Sequence, residues 1–106
     1  MKYYVFPFEK VEKNSRVVLC GADNAGMAFY NQIKETDFCK IVLWIDKNIN
    51  EMSIKPLSEI TKINENSYDI IIIATELKTT TEDIKVFLLN QGIPENKILC
   101  MRRVWR

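Results

Sequence analysis

The 106-residue chain contains no histidine. That removes the side chain that most often acts as a general base near neutral pH and most often ligates a metal. Cysteine is nearly as scarce. Cys20, Cys39 and Cys100 stand too far apart for a C-x-x-C redox or zinc unit. Cys20 and Cys100 fall in apolar runs, where a reduced, buried thiol is expected. No apolar run approaches the roughly 18 residues of a transmembrane helix. Pro7 and Glu9 interrupt the N-terminal MKYYVFPFEK before a signal-peptide core can form, which predicts a cytoplasmic protein. Neither sign of charge is in excess: 15 basic and 14 acidic side chains leave a net +1. That balance offers no electrostatic argument for nucleic acid or an anionic membrane. Internal repeats and low-complexity stretches are also missing.

What is present suits one globular domain. Apolar residues make up 47% and charged residues 27%, and the length allows a single core. Arg16–Cys20 (RVVLC), bounded by Asn14-Ser15 and Gly21, predicts a strand. From Ala25 to Glu35 the pattern is helical, with Ala25, Phe29 and Ile33 four residues apart, and Thr36-Asp37 breaks it. Lys40–Ile45 (KIVLWI) predicts a second strand ending at Asp46, then a polar loop from Asn48 to Met52. Ser53 to Pro56 suggests a rudimentary strand and Leu57–Ile63 a short helix. Asp69–Ala74 (DIIIIA) is apolar without alternation, the pattern of a strand buried on both faces of a parallel sheet. Thr79 to Asn90 predicts a helix, with Thr79 and Glu82 at capping-box spacing and Gly92 and Pro94 beyond its end. Lys97–Met101 (KILCM) is the last expected strand.

Strands alternating with helices imply an α/β fold with a parallel sheet covered on both faces. Right-handed crossovers restrict the topology further: if the first strand is central, KIVLWI lies on one side and DIIIIA followed by KILCM on the other. The expectation is a minimal Rossmann-like parallel sheet of four to five strands, helices on both faces, in one domain over residues 1–106. Residues 1–14 would form an N-terminal arm, and residues 102–106 (RRVWR) a tail or linker. The ligand crevice would lie where the winding reverses, at the carboxyl ends of the first strand and DIIIIA.

At that point stands GADNAG, residues 21–26, with the spacing of a G-x-G-x-x-G fingerprint but aspartate in place of the middle glycine. Gly21 permits a tight turn, and Gly26 allows close packing of the helix on the sheet. The helix N-terminus attracts a phosphate, but it attracts the Asp23 carboxylate as well. The candidate contacts to a ligand are therefore Gly21, Ala22, Asp23, Asn24, Ala25 and Gly26. A turn capped by its own aspartate is the competing expectation. Asp46, 20 residues past Gly26, stands where a carboxylate accepts hydrogen bonds from ribose hydroxyls, although aspartates also start turns after strands. Lys47 is a weaker candidate for an added phosphate, and Thr75 is expected to face the same crevice.

Other motifs suggest chemistry but have simpler explanations. Tyr30 and Lys34 have the Y-x-x-x-K spacing of short-chain dehydrogenases, but they lie on the first helix, where an amphipathic edge explains them. A helix start explains Thr79-Thr80-Thr81, and a loop end explains Asp69. No catalytic residue and no metal ligand is assigned.

The runs FPFEKVEKNSRVVLCGADNAGMAFYNQIK, CKIVLWIDKN, YDIIIIAT and IKVFLLNQGIPENKIL together resemble small bacterial Rossmann-like modules of surface-polysaccharide biosynthesis. These accompany glycosyltransferases, sugar acetyltransferases and sugar-nucleotide dehydratases. Gly21, Ala22, Gly26, Asp46, Tyr68, Asp69 and Ala74 match their pattern, and Asp23 departs from it. The resemblance implies NAD(P) or a UDP-sugar as ligand, no catalysis by the module alone, and a homodimer or an enzyme domain as partner. The alternatives are a dimerisation domain that has lost dinucleotide binding, or a fragment of a larger glycosyltransferase or methyltransferase.

Overall fold

The computed structural model describes residues 3–47, 54–100 and 104–105. The chain runs through β1 (Tyr3–Tyr4), β2 (Arg16–Cys20), α1 (Asn24–Thr36), β3 (Lys40–Asp46) and β4 (Lys55–Pro56). It continues through β5 (Ile70–Ile73), α2 (Lys78–Asn90), β6 (Ile98–Cys100) and β7 (Val104–Trp105). Five strands form one parallel sheet in the order β4-β3-β2-β5-β6, the order expected from the alternation of strands and helices. The α/β, Rossmann-like reading of the sequence is thus the observed fold.

Pleating divides the core. Val17 and Leu19 of β2 face one side with Ile72 and Ala74, against Ala25, Phe29 and Ile33 of α1. Val18 and Cys20 face the other side with Ile71 and Ile73, against Ile84 and Leu88 of α2 and Ile60. Ile71 to Ala74 are fully buried, as the unbroken apolar run predicted. The N-terminal arm covers the α1 side, where Phe6 packs edge-on against Phe8 and Phe29. β1 and β7 pair antiparallel in a separate two-stranded ribbon, with Tyr4 opposite Val104.

Boundaries differ where local geometry overrides pattern. α1 begins one residue before Ala25 because Asp23 caps it, and it runs through Thr36 to the C-cap Asp37, whose φ of 53° is left-handed. The short helix expected at Leu57–Ile63 is observed as a 3₁₀ helix over Leu57–Lys62. α2 starts at Lys78 with Leu77 as N-cap and no side-chain cap, so the expected Thr79–Glu82 capping box is not formed. Thr79 already lies inside the first turn. Lys97 belongs to a 3₁₀ turn rather than to the last strand. The loop expected from Asn48 to Met52, Ser53, Met101 and the arginines of the tail lie outside the described residues.

Candidate functional site

Three parallel strands end at one edge of the sheet, so the residues that follow them converge. Ala22 and Asp23 follow β2, Asp46 closes β3, and Thr75 follows β5. With Lys47, and with Thr80 and Ile84 of α2, they line a cleft of about 250 Å³. This is the crevice at which winding reverses in an open α/β sheet, the usual place for a ligand. Of the residues expected at a ligand, Ala22, Asp23, Asp46, Lys47 and Thr75 line the cleft. Gly21, Ala25 and Gly26 are buried behind it, and Asn24 is exposed at the start of α1.

The glycines have a steric cause that needs no ligand. Gly21 has a φ of 116°, and a Cβ on it would stand 2.3 Å from the Ala74 carbonyl oxygen. A Cβ on Gly26 would stand 2.0 Å from the Gly21 carbonyl oxygen. The buried Trp44 indole donates from Nε1 to that same carbonyl at 2.6 Å and stacks on Tyr30, with ring centroids 4.5 Å apart. Turn, helix and β3 thus meet on a single peptide group.

Three amides of the turn, those of Ala22, Ala25 and Gly26, are engaged by the protein's own carboxylates. Asp23 Oδ1 accepts from the Ala25 N–H at 3.1 Å and the Gly26 N–H at 3.4 Å, which makes it the N-cap of α1. Asp23 Oδ2 accepts from the Glu76 N–H at 2.9 Å, in the loop after β5. The Ala22 N–H donates to Asp46 Oδ2 at 2.7 Å. Asp23 therefore caps its own helix and also ties the two walls of the crevice together. A phosphate beside it would meet like charge: two unit charges 4 Å apart repel by about 4 kcal/mol at an effective dielectric of about 20. The helix dipole offers an anion only about 0.3–1 kcal/mol at exposed sites.

Lys47, Thr75 and Glu76 also have partners. Lys47 pairs with Asp83 of α2 at 3.6 Å across exposed surface. Thr75 is buried, with its Oγ1 2.5 Å from Thr81 Oγ1, and Thr81 in turn donates to the Leu77 carbonyl at 3.1 Å. Glu76 Oε2 accepts from the Tyr4 hydroxyl at 2.8 Å, a bond that raises the Tyr4 pKa above its ordinary value. Sequence reasoning missed Thr80, Ile84 and Glu76. The crossover from DIIIIAT into the second helix was the available signal, because its first turns return to the same edge of the sheet.

Residues set aside as structural behave accordingly. Lys34 Nζ donates to the Tyr30 hydroxyl at 3.4 Å on the α1 surface, away from the cleft lining. Asp69 accepts from the Arg16 backbone N–H at 2.7 Å and from its guanidinium at 2.9 and 3.2 Å. That pair joins the amino ends of β2 and β5, at the opposite edge from the cleft. Among the described residues, no group of three or more histidine, cysteine, aspartate or glutamate side chains is placed to hold a metal ion. Among the same residues, no helix is long and apolar enough to cross a membrane.

No family model matches the chain, and no curated protein matches it. Among solved structures it is similar to the crystal structure of RSP, a Rex-family repressor, with 18% sequence identity and a TM-score of 0.60. The match covers 83% of this chain and 52% of that one, so the chain spans about half the length of the protein it resembles. At that identity the likeness is one of fold, and with the strand order it identifies the chain as an α/β, Rossmann-like parallel-sheet protein.

Proposed function

We propose that the chain is a binding module that holds the ribose of a nucleoside or nucleotide in the crevice between β2 and β5, without catalysing a reaction by itself. The supporting observation is Asp46. Its carboxylate lines the cleft at the carboxyl end of β3, where ribose hydroxyls are bound in this fold. The 2.7 Å bond from the Ala22 N–H holds this carboxylate in place at the cleft. Ile84 and Thr80 offer an apolar and a polar wall to the rest of the ligand. NAD(P) and UDP-sugars belong to this ligand class. The polysaccharide-biosynthesis setting implied by the sequence resemblance favours a sugar nucleotide or its nucleoside portion.

The reading predicts calorimetric binding of adenosine, uridine, NAD(H) or a UDP-sugar, weakened about tenfold or more in Asp46→Ala. No heat from any of them up to millimolar concentration removes it. A second reading, an interaction domain that has lost its ligand, is favoured by the Asp23 carboxylate standing where a phosphate would stand. The same titration separates the two.

A further inference from the structure

We propose, resting on the ribose-binding reading above, that the cleft selects a ligand with no phosphate at the turn: a nucleoside, or one whose 5′ substituent is uncharged or cationic, over a nucleotide or dinucleotide. In a phosphate-binding turn the amides at the start of the helix point at the ligand. Here the amides of Ala25 and Gly26 point at Asp23, and that of Ala22 points at Asp46. Displacing Asp23 would also break its bond to the Glu76 amide, so an anion that replaced Asp23 on these amides would loosen the loop after β5. The charge of the cleft acts in the same direction. Its lining carries Asp23, Asp46 and Lys47, and Lys47 already faces Asp83 at 3.6 Å.

Hydroxyl groups meet no such conflict. They donate to carboxylates without adding negative charge. The features that repel phosphate therefore suit a ribose, and a positive substituent near Asp23 would gain from them.

The test is calorimetric titration of the full chain with adenosine against AMP and NAD+, and with uridine against UMP, repeated in Asp23→Gly and Asp23→Asn. The nucleoside should bind about tenfold or more tighter than its 5′-phosphate. Asp23→Gly should strengthen AMP and NAD+ binding about tenfold while leaving the nucleoside within about threefold. Asp23→Asn keeps a capping side chain and removes the charge, so it serves if the glycine variant does not fold. AMP, UMP or NAD+ binding as tightly as the nucleosides to the unmodified chain would overturn the selectivity and leave the ribose reading standing. Failure of every probe to bind would overturn both.

Discussion

At the scale of the residue, Asp23 decides more than any other position. It satisfies two helix amides and one loop amide with two oxygens. Asp23→Ala should destabilise the fold by about 1 kcal/mol through the lost cap, with the Glu76 bond adding to that, as measured by the urea midpoint. An unchanged midpoint would mean that the cap is not contributing. Asp69 makes a different prediction. Hydrogen bonds from Arg16 hold its carboxyl down at about 2, against an ordinary value of 3.8. A depressed folded-state pKa gives stability that is present above the unfolded value and lost as pH falls through the folded one. The urea midpoints of the native chain and Asp69→Asn should therefore converge as pH drops from about 5 to about 2. A constant gap across that range would rule the pair out as the source. The local role of Asp23 could be derived from GADNAG, since aspartate is a strong N-cap. Its bond to Glu76, 53 residues away, could not, because no periodicity encodes a contact between two loops.

At the scale of the element, legibility followed local regularity. β2, β3, β5 and the two long helices are periodic or uniformly apolar, and pattern placed them. The short helix at Leu57–Lys62 was legible too, and the spacing of three between Leu57, Ile60 and Ile63 suits the 3₁₀ form it takes. The β1–β7 ribbon joins two short segments at opposite ends of the sequence and has no local signature. The start of α2 is a weakness the sequence half disguised: three threonines stand there, yet the N-cap itself is Leu77. Leu77 is 64% exposed and already has the extended backbone of an N-cap. Leu77→Ser should therefore raise stability by about 1 kcal/mol, visible as a higher thermal midpoint. A lower midpoint would show that the exposed leucine is packed against something in solution.

At the scale of the whole molecule, cohesion is uneven. β2 pairs on both sides and carries Val17 to Cys20 with no exposed surface, and β5 is similar over Ile71 to Ile73. Among the described residues, β1 and β7 pair as strands only with each other, over two residues each. Amide exchange should divide accordingly: β2 and β5 should exchange only through global unfolding, while β1 exchanges through local opening. Equal protection of β1 and β2 would contradict that division. The cleft sits at the junction, since Tyr4 of β1 reaches it through Glu76. Trp44 gives this architecture an optical handle. Its indole is bonded to the Gly21 carbonyl and stacked nearly parallel to Tyr30. The chain has two tryptophans, so Trp105→Phe leaves Trp44 as the sole indole fluorophore. Its emission maximum and near-ultraviolet circular dichroism then report on one peptide group, and a ligand that reshapes the glycine turn announces itself in the spectrum without any label.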